Sequence, residues 1–388
     1  MSRLSMERNS LEQDSVFTRR DWLKYSALLG SSLAGMGALG CASEPPSGGG
    51  GAISGSAGSA YGAAAKGSGP AEDPAKATTG GAAGDLAKRP ADLLLSRSPK
   101  RYEMKSSINL WAFPYPDRMA LDDCFRLAQR AGFDAVELNY NLEGDISPAS
   151  TEKELARIRS LAEKAGVSVS GLCSFLFWPY PLTSNKESTR ARALELAGLM
   201  IRAAHDLGTE NLLVVPGAVY VPWLKDSEEV PYKVCDERAR AAMRQLVPEA
   251  EKLGVYLNIE NIFFNAYLMS PPDLIEFVDS FQSPRVKVHF DTGNIMPLQF
   301  PEHWLPLLGK RIQNVHLKEF SKKGTDFSLE SFRPLLDGTT NWPAVMEAFD
   351  DAGYRGYLTF EYFHPFTHYP EALIDQAGDA LKRILGRG

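Results

Sequence analysis

The chain has little cysteine, little histidine and no excess of positive charge. Four cysteines and six histidines occur in 388 residues. Cys41, Cys124, Cys173 and Cys235 are widely spaced and form no Cys-x-x-Cys pair, so neither a disulfide framework nor a zinc knuckle is indicated. Cys124 and Cys173 read as small buried hydrophobes. Lysine and arginine number 42 against 48 acidic residues, a formal net charge of -6. That balance gives no electrostatic basis for nucleic acid as a partner. No glycine-rich dinucleotide loop follows the first strand-like run, which removes the main support for an open doubly wound sheet.

What is present begins with an address. Residues Thr18-Arg19-Arg20-Asp21-Trp22-Leu23-Lys24 carry adjacent arginines before an apolar run from Tyr25 to Gly40. That run of 16 residues is short of the ~20 that a membrane helix needs, and suits a signal peptide. The arrangement resembles a twin-arginine export signal, with Trp22 where Phe is usual. Ala38-Leu39-Gly40-Cys41 is similar to a bacterial lipoprotein cleavage box, although Leu usually stands one position earlier. The resemblance implies lipid on Cys41, a translocase as partner during export, and a periplasmic or membrane-anchored protein outside the cytoplasm. Because that route carries folded proteins, metal would be loaded before export. Residues 1–41 are therefore expected to be signal, and 42–100 a flexible Gly/Ala/Ser/Pro linker too poor in large apolar groups to pack.

From Ser106 onward the composition changes. Strand-like runs begin near Ile108, Ala135, Ser168, Asn211, Tyr256, Val286, Ile312 and Gly356, separated by amphipathic stretches. Helices are expected over Leu121–Ala131, Glu152–Ala165, Thr189–Leu207, Glu237–Leu253, Pro272–Ser280 and Trp342–Ala352, mostly stopped by glycine. Eight strand–helix units over 101–388 predict an α/β fold, a (β/α)8 TIM barrel forming one catalytic domain.

Alternation along each strand then assigns the inward groups. Val255, Leu257 and Ile259 face the helices, so Tyr256, Asn258 and Glu260 face the barrel axis. The same reading turns His289 and Asp291, His316 and Lys318, Thr359 and Glu361, and Glu137 and Asn139 inward. Glu260, Asp291, His316 and Glu361 stand near the C-terminal ends of their strands, where barrel active sites form. Three carboxylates and an imidazole confined together would repel and desolvate badly without a divalent cation. Oxygen donors with one nitrogen suit Mn²⁺ first, then Mg²⁺ or Co²⁺, with Zn²⁺ also compatible.

Ala203-Ala204-His205-Asp206-Leu207-Gly208, Asn258-Ile259-Glu260-Asn261, Phe290-Asp291-Thr292-Gly293-Asn294, His316-Leu317-Lys318-Glu319 and Phe360-Glu361 resemble the xylose-isomerase-like superfamily, nearest its pentulose-phosphate 3-epimerase branch. Asn294 stands where other branches carry His. The resemblance implies that Glu260 and Glu361 bind metal and also move protons on a carbohydrate. A metal-acidified C–H beside a ketone would lose its proton to one glutamate and regain it from the other through a cis-enediolate. Return to the opposite face is epimerisation, return to the adjacent carbon is isomerisation, and loss of a leaving group would be a lyase or hydratase reaction on a 3-keto-glycoside or inosose-like substrate. Export argues against a phosphate ester and for a free sugar or glycoside. Substrate contacts are expected from Glu137, Asn294, Lys318, Trp178 and His364, with an intrabarrel salt bridge as the other reading of Glu137 and carboxylate neutralisation as that of Lys318. His289 is expected to make a structural hydrogen bond. Two further expectations are a homo-oligomer formed through loop faces and, from another class, a non-catalytic sugar-binding lipoprotein.

Overall fold

The computed structural model describes residues 100–324 and 327–388. The proposed signal, Cys41 and nearly all of the linker lie outside them. Among the described residues no helix is long and apolar enough to cross a membrane.

Eight parallel strands close into a barrel. They are β1 (Lys105–Asn109), β2 (Ala135–Asn139), β3 (Ser168–Cys173), β4 (Asn211–Val214), β5 (Tyr256–Glu260), β6 (Val286–Asp291), β7 (Ile312–Leu317) and β10 (Tyr357–Phe360). Going round the barrel from β1, the order is β1-β10-β7-β6-β5-β4-β3-β2, so each strand neighbours the next and the last meets the first. The strands are almost wholly buried, as expected for a parallel sheet covered by helices. The outer layer holds α1 (Leu121–Ala131), α2 (Glu152–Ala165), α3 (Glu187–Asp206), α4 (Tyr232–Leu253), α5 (Pro271–Asp279), α6 (Pro301–Leu308), α7 (Trp342–Asp351) and α8 (Pro370–Ile384).

Local chemistry fixes several ends. Thr151 and Glu154 form a reciprocal capping box that starts α2. Gly132 and Gly166 end α1 and α2 with φ of 90° and 81°, left-handed values that favour glycine. Two helices whose bounds were not expected from the sequence complete the shell. The helix α6 carries Pro at its first position and again inside, which hides its periodicity. The helix α8 follows Tyr369 in a left-handed conformation and packs on α1, where a Cβ at Gly378 would run into the Ala131 carbonyl. A short antiparallel pair, β8 (Glu319–Phe320) with β9 (Phe332–Arg333), was likewise unexpected and rises beside the barrel mouth.

Candidate metal centre and active site

Glu260, Asp291, His316 and Glu361 are all buried in the barrel. They are not level with one another. Glu260 is in register with His289, and Asp291 with His316. Because barrel strands are tilted and staggered, side chains from different rungs still converge. One ligand atom from each of the four lies within 4.8 Å of the others. His316 Nδ1 is 2.9 Å from Glu361 Oε2, 3.4 Å from Glu260 Oε1 and 3.8 Å from Asp291 Oδ2.

The loop after β6 aims Asp291. Its Oδ1 accepts hydrogen bonds from the Gly293 and Asn294 amides, both at 2.8 Å, which leaves Oδ2 toward the centre. The Asn261 side chain clamps the same residue from β5, donating to the Asp291 carbonyl and accepting from its amide. Asn294 donates to Glu260 Oε1 at 3.4 Å and to the Asn261 carbonyl at 2.9 Å. Gly293 permits the tight approach: a Cβ there would lie 2.6 Å from Lys318 Cβ.

Lys318 Nζ stands 2.8 Å from Asp291 Oδ2 and also pairs with Glu361. It accordingly takes up the neutralising role, with Asn294 Oδ1 3.3 Å away. Burial opposes its charge, but Asp291, Glu361 and Glu260 together hold the ammonium above its ordinary range. Burial likewise pushes the Glu260 carboxyl up, to about 7, against His316 and Lys318. Burial acts on Glu361 in the same sense, yet His316 and Lys318 reverse it and hold that carboxyl at about 2. Burial raises Asp291. Burial would lower His316, but the Glu137 and Glu361 charges more than reverse it. The two glutamates thus sit in environments that drive their proton affinities apart, as in acid/base pairs.

The residues present fit a divalent cation. Asp291 Oδ2, His316 Nδ1 and Glu361 Oε2 are buried and make no hydrogen bond, facing one another and Lys318 only as ion pairs. Carboxylate oxygens with one imidazole nitrogen form the donor set expected for such an ion.

Glu260, Asn294, Lys318 and Glu361 open into one small cavity of about 60 Å³. Its walls are aromatic: Trp111, Phe175, Trp178, Trp223, Phe332 and Phe363. Trp111 packs on Phe175 with centroids 4.1 Å apart, and Trp178 meets Trp223 edge-on at 4.9 Å. Lys318 Nζ lies 5.0 Å from the Phe363 ring centre. Phe332 arrives on β9, in a loop anchored by buried Glu319, which accepts from Trp342 Nε1 at 2.7 Å and from the Leu336 and Thr340 amides at 3.1 Å.

Of the residues expected to contact substrate, Trp178, Asn294 and Lys318 line the cavity, and Glu137 and His364 do not. Glu137 lies below the cavity and forms the intrabarrel pair, 2.6 Å from His316 Nε2. His364 is absent from the lining and packs edge-on against Tyr362 at 5.6 Å. His289 departs from its expected role as well: neither ring nitrogen makes a hydrogen bond. It lies edge-on to His316 at 4.1 Å, and burial, with His316 and Lys318, holds it neutral. Trp111, Trp223, Phe332 and Phe363 had no alternating strand pattern to announce them; they come from segments far apart in the chain that meet only when the barrel closes.

Fold and site together define a (β/α)8 barrel with a carboxylate–histidine centre at the C-terminal ends of its strands. Residues 125–384 match the family described as xylose isomerase-like TIM barrel, and the chain belongs to that family. It is 26% identical over 267 residues to L-ribulose-5-phosphate 3-epimerase UlaE of Salmonella paratyphi A, covering 68% of this chain and 89% of that protein. Among solved structures it resembles an L-ribulose 3-epimerase with a TM-score of 0.59 at 19% identity, covering 73% of this chain and 94% of the other. It resembles D-psicose 3-epimerase from Clostridium cellulolyticum H10 with a TM-score of 0.59 at 18% identity, covering 72% and 98%. At those identities the structural matches speak for the fold.

Proposed function

We propose that the protein is a divalent-metal-dependent sugar epimerase or isomerase, with Mn²⁺ as its first-choice ion. The observation that carries this reading is that Glu260 and Glu361 belong to a buried four-residue ligand set and also line one aromatic-walled cavity. The sugar 3-epimerases among its relatives support the same class.

Glu260, Asp291, His316 and Glu361 would hold the ion, which when bound polarises a ketone oxygen and acidifies the neighbouring C–H. One glutamate takes that proton and the other supplies one to the enediolate, giving inversion or, at the adjacent carbon, an aldose–ketose shift. Lys318 offers fixed positive charge to the developing oxyanion. The aromatic walls exclude water and stack on the sugar's C–H faces. Lys318 is the one cation among the described lining residues, and Asp291 and Glu361 already engage it. This favours a free sugar or glycoside over a phosphate ester.

The test is C–H exchange in D₂O with Mn²⁺, followed by NMR over free ketoses, aldoses, 3-keto-glycosides and pentulose phosphates. Metal-dependent exchange on a free sugar or glycoside is expected, lost by about 10²-fold or more in Glu260→Gln and Glu361→Gln. Exchange confined to phosphate esters would overturn the substrate assignment. No exchange with any of them, in a protein that binds no metal, would overturn the enzyme.

The same proposal includes export by the twin-arginine route with lipid on Cys41. Cell fractionation checks it: replacing Arg19 and Arg20 by Lys should retain the protein in the cytoplasm, and Cys41→Ala should release it from the membrane fraction.

A further inference from the structure

Below the metal centre, Glu137 is fully buried on β2. Its Oε2 lies 2.6 Å from His316 Nε2 and accepts from Asn109 Nδ2, also at 2.6 Å. Asn109 Oδ1 in turn accepts the Trp111 amide at 2.7 Å, so the chain of contacts runs from the cavity wall to the ligand imidazole. The sheet is shaped around this carboxylate. The β2–β3 pairing slips between Val136 and Glu137, bringing Glu137 opposite Gly171. A bulge of this kind re-aims a side chain. Gly171 has no side chain to obstruct it; a Cβ there would lie 3.0 Å from Glu137 Oε1. The β6–β7 pairing slips too, between Val288 and His289, next to His316.

An imidazole that gives its Nε2 hydrogen to a carboxylate presents Nδ1 as a lone pair, and Nδ1 is the atom His316 turns toward Glu260, Asp291 and Glu361. We propose that Glu137 is a positioning residue that fixes the tautomer and ring orientation of His316, with Asn109 holding its carboxylate, so that Nδ1 is presented to the divalent ion. Glu137 does not line the cavity. The inference rests on the metal-dependent reading of the site.

The experiment measures Mn²⁺ binding to the full-length protein by calorimetry, and the visible spectrum of the Co²⁺-substituted protein as a report on ligand geometry. Variants are Glu137→Gln, which keeps an acceptor but loses the charge, and Glu137→Ala, which loses both. Thermal melting of each metal-free variant controls for folding. Loss of a partner behind a metal-bound histidine typically costs 10–100-fold in affinity. Glu137→Ala should fall about that far with a shifted Co²⁺ spectrum, and Glu137→Gln should fall less. Should Glu137→Ala fail to fold, Asn109→Ala replaces it and should weaken Mn²⁺ in the same direction. Mn²⁺ affinity within twofold of wild type and an unchanged Co²⁺ spectrum in the folded variants would overturn the role of Glu137 while leaving the enzyme reading intact. A wild-type protein that binds no Mn²⁺ would overturn both.

Discussion

Gly293 shows how one small residue organises the centre. Its Cα lies where β6 hands over to the loop that grips Asp291 Oδ1, and its missing side chain is the space that Lys318 occupies. An added Cβ would meet Lys318 Cβ at 2.6 Å and Phe332 Cε1 at 3.0 Å. Neither neighbour is free to withdraw, since Lys318 is paired with two carboxylates and Phe332 sits on the anchored β8–β9 pair. Gly293→Ala should therefore destabilise by about 1–3 kcal/mol, the usual cost of overpacking. A sub-ångström shift of Lys318 and Asp291 should also slow sugar C–H exchange by up to about 10²-fold. Denaturant unfolding and the D₂O exchange assay check the two parts. Wild-type exchange in Gly293→Ala would show that Lys318 tolerates displacement and has no part in charge stabilisation.

At the scale of elements, a second carboxylate does work far from the site. Asp134 opens β2 and bonds the Ser106 amide at 2.8 Å and hydroxyl at 2.9 Å, with Arg387 at 3.2 Å, so it clasps the bottoms of β1 and β2 and the chain's end. Burial acts to raise Asp134, but Ser106 and Arg387 more than reverse it and hold it below its ordinary 3.8. A depressed carboxyl adds stability above its unfolded pKa and loses it as pH falls through the folded value. Asp134→Asn should thus be less stable at pH ~7 by under about 1 kcal/mol, given a half-exposed side chain, and the gap should close in acid below pH ~4. Urea midpoints from pH 7 to 3 test this; a constant gap would refute it. Elements were legible in the sequence where local chemistry terminates them. The ends of α1 and α2 follow from Gly132, Gly166 and the Thr151–Glu154 box. The starts of α3 and α4, at Glu187 and Tyr232, precede their apolar periodicity, so periodicity placed them late. The four metal-ligand candidates were legible because strand alternation has a period of two and each apolar neighbour identifies the outer face. That His316 is Glu137's partner, and that Trp111, Trp223, Phe332 and Phe363 join Trp178 in the walls, were not, because a register shift, a barrel stagger and segments far apart in the chain decide them, and none of these leaves a local period.

For the whole molecule, the cluster predicts a coupling between metal and stability. Burying three carboxylates around one imidazole and one ammonium is costly, since each desolvated charge must be matched. In this barrel two of the charges, on Asp291 and Glu361, lean on Lys318, and Glu260 is held toward its protonated form by burial. The strands that carry the ligands, β5, β6, β7 and β10, occupy successive places in the barrel order, so a bound ion cross-links half of the closed sheet through its side chains. A ligand that binds only the folded chain adds about 2.7 kcal/mol at a hundred times its Kd. At about 2–4 °C per kcal/mol for a domain approaching this size, saturating Mn²⁺ should raise the melting temperature by about 5–10 °C. A chelator should remove the whole shift, and excess Mn²⁺ should restore it. In Asp291→Asn the shift should shrink sharply, because the replaced oxygen faces the centre while Oδ1 is spent on the Gly293 and Asn294 amides. A melting temperature indifferent to both Mn²⁺ and chelator would mean that Lys318 alone satisfies the carboxylates, and that the centre is a buried ion-pair network with no place for a cation.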